Sequence, residues 1–169
     1  MDFIKLAEQR YSVRKYDERA VEAEKLMSIL EAGRIAPTAA NLQPVRVIAV
    51  RDKENLSKIG KAANIYGAPL ALIVLADRST AWTRPFDGKQ TTDIDASIVT
   101  DYMMLEAASL GLGSVWICYF KPDILRSEFD IPESLEPVNI LAVGYAKDGI
   151  QPPHKDRITL DEFVRYEKL

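Results

Sequence analysis

Apolar residues recur along this chain in two rhythms, and the changes between them predict its elements. From Asp2 to Gln9 a narrow stripe of Phe3, Leu6 and Ala7 has helical spacing, with Asp2 placed to cap the first turn. A second helix is expected over roughly Glu22 to Ala36, carrying Leu26, Ile29, Leu30 and Gly33 on one side and stopped by Pro37. The β-branched run VRVIAV, Val45 to Val50, reads as a strand, and DKENLSKIGKAA after it as a surface helix capped by Asp52. LALIVLA, Leu70 to Ala76, is apolar without interruption over a strand's length, which predicts a strand covered on both faces in the middle of a sheet.

From Arg78 to Thr92 turn formers and two large aromatics follow one another without periodicity, so this segment is expected to be a loop, ordered or mobile, and a candidate lid. The next helix, about Asp93 to Leu110, is apolar around most of its circumference and needs cover on several sides. GLGSVWICYF turns at Gly111 and Gly113 into a third strand, and VNILAVGYA, Val138 to Ala146, reads as a fourth. A short helix is expected within KPDILRSEFDIPES, and another near the end, capped by Thr159 or Asp161. This alternation gives a helix-covered sheet and leaves its strand order open.

Composition narrows the class. The 169 residues, 47% apolar and 28% charged, suit a single globular domain over 1–169. A net charge of −3 offers no general attraction to nucleic acid or an anionic membrane, which directs attention to small molecules. Cys118 alone cannot form an intrachain disulfide, and with the single His154 it supplies too few ligands for a structural zinc site, so a reducing, cytoplasmic setting is expected. Asp2 and Glu8 interrupt the N-terminal segment, and no apolar run approaches the ~18 residues of a membrane span. A soluble, unexported chain is the expectation.

Three segments carry candidate chemistry. RYSVRKY places Arg10, Ser12 and Arg14 at alternate positions, which an extended backbone sends to one side as an anion cradle; a basic surface turn is the alternative. APTAANLQP offers Thr38, Asn41 and Gln43 on a loop before a strand, as readers of a heteroaromatic edge or as a satisfied turn. HKDR adds the alternating pair Lys155 and Arg157, able to join the first pair on one anion, although spacing alone does not bring them together. GLGSVW is no dinucleotide fingerprint: Trp116 stands where the third glycine belongs, and the glycines precede a strand. Backbone N–H groups of Cys118 and Tyr119 are left to face a ligand. His154 and Cys118 have no partner set for a triad or dyad, which argues against nucleophilic hydrolysis.

Taken together, a helix ending in RYSVRKY, a helix ending in AGRIAPTAANLQP, the segment EAASLGLGSVWI, a VGYA strand and a terminal HKDR resemble, in this order and over nearly the whole chain, the nitroreductase family of flavoproteins. Each motif is weak and the combination is specific. The resemblance implies a homodimeric α+β fold with a central mixed, mainly antiparallel sheet covered by helices on both faces, and FMN lying in the dimer interface. Carried over residue by residue, Arg10, Ser12 and Arg14 hold the phosphate and ribityl end together with Lys155 and Arg157. Pro37, Thr38, Asn41 and Gln43 approach the same flavin from the partner subunit. The backbone of Trp116, Ile117, Cys118 and Tyr119 lines the isoalloxazine ring.

The activity implied is an NAD(P)H oxidoreductase that reduces nitroaromatics, quinones or similar acceptors by ping-pong hydride transfer through the flavin, with no catalytic side chain of its own. A flavin-dependent dehydrogenase or dehalogenase, or a non-catalytic flavin-binding dimer, are the alternatives. Val45 stands where the family usually has an aromatic residue, Thr38 replaces the commoner serine, and the chain stops at Leu169 where many relatives extend an arm around the partner. Tyr66, Trp82 and Phe86 are expected pocket walls.

Overall fold

The computed structural model describes residues 2–150 and 152–168, and its elements follow in the order α1 (Phe3–Gln9), α2 (Ala23–Ile35), β1 (Val45–Val50), α3 (Lys53–Ala62), β2 (Leu70–Asp77), α4 (Thr92–Ser109), β3 (Gly113–Ile117), α5 (Pro122–Glu128), β4 (Leu135–Gly144) and α6 (Leu160–Phe163). The four strands form one sheet in the order β1-β2-β4-β3, every neighbouring pair antiparallel. One parallel bridge, Ser12 to Ser114, makes it mixed. No helix among the described residues is long and apolar enough to cross a membrane.

The uninterrupted apolar run of β2 has the cause its sequence predicts. Leu70, Leu72, Val74 and Ala76 pack with α2 and α4, while Ala71, Ile73 and Leu75 pack with α3 and α5, so successive side chains enter two separate cores. In β4, Leu141 and Val143 join the first core and Ile140 and Ala142 the second. On α4, Ala96, Val99, Met103 and Ala107 are buried against sheet and α2. Gly33 lets the two helices approach this closely: a Cβ there would lie 2.8 Å from Met103 Cγ. The outer side of α4 keeps Ile94 and Tyr102 in solvent.

Two boundaries depart from the hydropathy pattern. The fourth strand, expected over Val138 to Ala146, starts at Leu135 and includes Pro137 opposite Leu75, where the register slips between Val74 and Leu75. Proline has no N–H to give the ladder, so the strand passes it through an irregularity. At its far end the chain leaves β3 and pairs with the N-terminal segment instead: Asp17 N–H donates to Tyr145 O and Lys147 N–H to Lys15 O, at 2.9 and 3.0 Å. The candidate lid is an ordered hairpin, bridged between Thr83 and Gln90 and closed at its tip by an Arg84–Asp87 ion pair of 2.5 Å.

One polar cluster ties three elements together. Lys25 Nζ donates to Leu110 O, at the carbonyl end of α4, and to the Tyr145 hydroxyl, both at 2.9 Å; that hydroxyl donates to Glu22 at 2.7 Å, and the Arg19 guanidinium lies 4.0 Å over the Tyr145 ring. The Tyr145 hydroxyl, a backbone N–H and Arg19 hold the Glu22 carboxyl down to about 2, from an ordinary 4.5. A carboxyl depressed by folding stabilises the native state above its unfolded value and loses that contribution as pH falls. Stability is therefore expected to decline between pH 4.5 and about 2. Urea midpoints measured across that window should fall less steeply in Glu22→Gln than in the unmodified protein; parallel slopes would contradict the assignment.

Candidate functional site

The basic N-terminal segment is laid along the edge of the sheet. α1 ends at Arg10, whose backbone turns extended, and the chain then runs beside β3, with Val13 N–H donating to Ser114 O at 2.9 Å. Tyr11, Val13 and Tyr16 pack into the core on the α3 and α5 side. By the alternation of an extended chain, Arg10, Ser12 and Arg14 take the face opposite to Tyr11 and Val13. Two glycines admit this contact: a Cβ on Gly113 would lie 2.4 Å from Val13 Cγ2, and one on Gly144 would lie 3.0 Å from Tyr16 Cδ1. The Tyr16 hydroxyl donates to Ala142 O at 3.1 Å, and burial pushes its pKa up, which keeps it a donor. Arg14 sits 5.8 Å from the ring centre of Tyr66.

The second basic pair reaches the first. Lys155 Nζ donates to Glu8 O at 2.7 Å and to Arg10 O, at the carbonyl end of α1. Its pKa is lowered by partial burial, then by the charges of Arg10 and Arg157, against a weaker opposing pull from Glu8. Among the described residues none of Arg10, Arg14, Lys155 and Arg157 forms an ion pair with a carboxylate. Cations gathered without a counter-ion fit an anion of more than one charge, and guanidinium forks suit phosphate oxygens. The buried Ser114 hydroxyl has no hydrogen-bond partner and lines, with Arg10 and Gln9, a cavity of about 110 Å³ beside this corner.

Beyond Ser114 the outer edge of β3 is open. Because Ser114 O points away from β4 to meet Val13, the two-residue alternation of strand peptides turns the backbone groups of Trp116 outward too, with Cys118 following at the strand's end. Neither has a backbone partner on that side among the described residues. Ile117 is buried, Trp116 half-buried, and Cys118 and Tyr119 exposed, the latter at 96%. From Ser114 to Cys118 this edge spans roughly 13 Å. A flavin mononucleotide needs cations at its phosphate and backbone donors along a heteroaromatic edge, so the residues present fit it.

The other half of the expected site lies elsewhere in the chain. Pro37, Thr38, Asn41 and Gln43 belong to the loop that enters β1, and Pro44 O accepts from Asp77 N–H at 2.8 Å. β1 and β3 are opposite edges of the sheet, three strand spacings or roughly 14 Å apart, and the loop lies at the end of the sheet far from Ser12. One chain does not bring the two groups together. Nor does it unite the expected pocket walls: Tyr66 precedes β2 beside Arg14, whereas Trp82 and Phe86 follow β2 on the hairpin, roughly 23 Å of strand away. Phe86, at the hairpin tip, is 93% exposed.

The loop itself is strained and fastened. Ala40, Asn41 and Gln43 have φ of 51, 55 and 51°, a region that costs residues with a Cβ on the order of 1 kcal/mol or more each. Gln43 N–H donates to Thr38 Oγ1 at 3.0 Å, which gives Thr38 a role within the loop, and Ala39 N–H donates to Asp95 Oδ1 at 2.9 Å. Asp95 and Gly144 are site-shaping residues that the sequence pattern does not single out, and Gly113 has a packing role beyond the turn expected of it. The one available signal was Asp95, a carboxylate next to Ala96 within an apolar helix.

Known proteins share this fold. The model of the Nitroreductase family matches residues 7–65 and 58–145. A nitroreductase family protein from Clostridium difficile 630 superposes with a TM-score of 0.95 at 55% identity, covering 100% of both chains. An FMN-dependent nitroreductase from Clostridium difficile R20291 gives a TM-score of 0.83 at 30% identity over 98% of this chain and 99% of its own. An FMN reductase (NAD(P)H) from Bacillus subtilis strain 168 is 31% identical over 166 residues, 87% of this chain and 67% of the relative.

The close approach of Val13 to Gly113 generates a stability prediction. Gly113→Ala is expected to destabilise by about 1–3 kcal/mol through overpacking, and Val13→Ala in the same chain should recover part of that loss by reopening the space. Urea unfolding of the two single variants and the double variant measures the coupling; strictly additive effects would show that the contact is not the cause.

Proposed function

The chain belongs to the nitroreductase family, and from that premise we propose that two copies of it enclose FMN and pass reducing equivalents from NAD(P)H to nitroaromatics, quinones or similar acceptors. It is a flavin-dependent oxidoreductase with FMN as cofactor and NAD(P)H as donor. The acceptor class, the pairing of subunits and the residue roles are our reading. The observation that carries it is the cluster of Arg10, Lys155 and Arg157, without a carboxylate partner, at the foot of an open strand edge, with Arg14 following on the same extended segment.

Arg10 and Arg14 present their forks to the phosphate, Lys155 and Arg157 add charge, and the Ser12 hydroxyl completes the shell. Peptide groups of the Trp116 to Tyr119 segment, aligned by β3, orient the ring. When bound, FMN supplies two-electron transfer between the nicotinamide and the acceptor. The protein's own task is to bind, to orient and to leave one face accessible, which is why the gathered side chains are cations and hydroxyls and include no acid–base pair.

The second copy follows from what one chain leaves undone. Pro37, Thr38, Asn41 and Gln43 lie on the wrong edge of the sheet to meet the cations of their own chain, so they meet those of a partner. The apolar outer face supports this: Phe3, Ile35 and Tyr102 are exposed around a cleft of about 490 Å³ that also takes in Leu6 and Leu105. A second subunit covers such a face.

Arg14→Ala is expected to weaken FMN binding by roughly 1.5–3 kcal/mol, because a phosphate charge loses a forked partner. Quenching of flavin fluorescence on titration with apoprotein measures it, and affinity equal to that of the unmodified protein would refute the assignment. Ile35→Glu, at an exposed position, should yield a folded monomer by sedimentation that no longer retains flavin. A flavin-loaded monomer would overturn the two-subunit site, and failure of NADH or NADPH to bleach the bound flavin would overturn the activity.

A further inference from the structure

Asp95 is the only buried charged side chain among the described residues, at 1% exposure. It stands in the first turn of the 18-residue helix α4, where the helix dipole favours a carboxylate. Its two oxygens serve two different segments. Oδ1 accepts at 2.9 Å the N–H of Ala39, the residue just before Ala40, the first of the three left-handed positions of the loop before β1; Oδ2 accepts the Thr91 hydroxyl at 2.8 Å. Thr91 in turn closes the hairpin, its N–H donating to Trp82 O at 3.0 Å. The single proton of the Thr91 hydroxyl goes to the nearer, charged acceptor in preference to Trp82 O at 3.3 Å.

Residues with a Cβ and positive φ persist only where their surroundings fix them. Within the loop, Thr38 and two backbone hydrogen bonds close a short turn, but Asp95 is the contact that fastens that turn to the body of the protein. We propose that Asp95 is a positioning residue with two arms, one setting the loop that meets the cofactor of the second subunit and the other setting the hairpin that carries Trp82 and Phe86. This rests on the two-subunit FMN site described above. Cofactor contact and acceptor entry are then aligned by one carboxylate, and the arms are separable by mutation: Asp95 feeds both, Thr91 only the hairpin.

Three variants of the dimeric protein test this by FMN affinity of the apoprotein, kcat and KM for p-benzoquinone, and Tm. Asp95→Ala is expected to weaken FMN binding about tenfold, the order of one charge-assisted hydrogen bond, and to raise the quinone KM. Asp95→Asn should restore both to within about twofold, since its carbonyl still accepts from Ala39 and Thr91 can turn to accept from its amide. Thr91→Val should leave FMN affinity unchanged and raise the quinone KM several-fold, roughly 1 kcal/mol of acceptor positioning, at constant kcat.

A purely structural role would lower Tm in Asp95→Ala and Thr91→Val without that split, and would overturn the proposal. So would unchanged FMN affinity in Asp95→Ala, or an Asp95→Asn as weak as the alanine variant. Where Asp95→Ala fails to fold, the asparagine and valine variants decide alone: an Asp95→Asn that binds FMN poorly, or a Thr91→Val with unchanged KM, overturns it. Absence of FMN binding by the unmodified protein would sink the family reading as well, whereas normal binding by that protein and by Asp95→Ala alike sinks only this inference.

Discussion

Val13 lies so close to Gly113 that a single added carbon would come within 2.4 Å of its side chain, and the path of the whole basic segment depends on that approach. With Tyr11 and Val13 drawn inward, the alternation of an extended chain turns Arg10, Ser12 and Arg14 outward. The same segment occupies the edge of β3 at Ser114 and stops there, so the peptides from Trp116 onward stay open. Packing in the core and electrostatics at the surface are thus set by one contact. Gly144 extends it by admitting Tyr16, whose hydroxyl is tied to Ala142 O.

How far the sequence foretells this depends on the length scale of the interaction. β1 and α3 are legible because local propensity and an Asp52 cap act within a few residues, and β2 because seven consecutive apolar residues have no other use than burial on both faces. The start of β4 is hidden by Pro137, which local rules exclude from a central strand and the fold accommodates with a register slip. The left-handed positions of the loop are equally hidden: Ala40, Asn41 and Gln43 carry no glycine signal, and the loop is tied to the body of the protein through Ala39 by Asp95, 56 residues away. At the site, the alternation of arginines is readable but their convergence with Lys155 is not, since it joins positions 145 residues apart. The register of several motifs with a known family supplied what local physics could not.

The division of the expected site between opposite sheet edges has an energetic consequence. A cation cluster such as Arg10, Lys155 and Arg157 repels itself, the pKa of Lys155 being lowered first by burial and then by the charges of Arg10 and Arg157, and an anion relieves that repulsion. On the proposed reading the anion is completed by a loop from another chain, so ligand binding and association stabilise one another by mass action. On the same reading, the exposed apolar face formed by Phe3, Ile35 and Tyr102 is the surface that the second copy would cover.

Rigidity is the remaining requirement. A flavin that must meet a donor and an acceptor in turn gains little from a closing lid and much from a fixed ring with one open face. The hairpin of residues 78–92 is built accordingly, with its own ion pair and bridge and a hold on Asp95 through Thr91. The strain stored in Ala40, Asn41 and Gln43 fits that design, since left-handed positions persist only where their surroundings hold them. A loop of ordinary φ would be easier to form and less well aimed. On the proposed reading, local backbone strain is accepted where α4, with six buried residues, can supply an anchor.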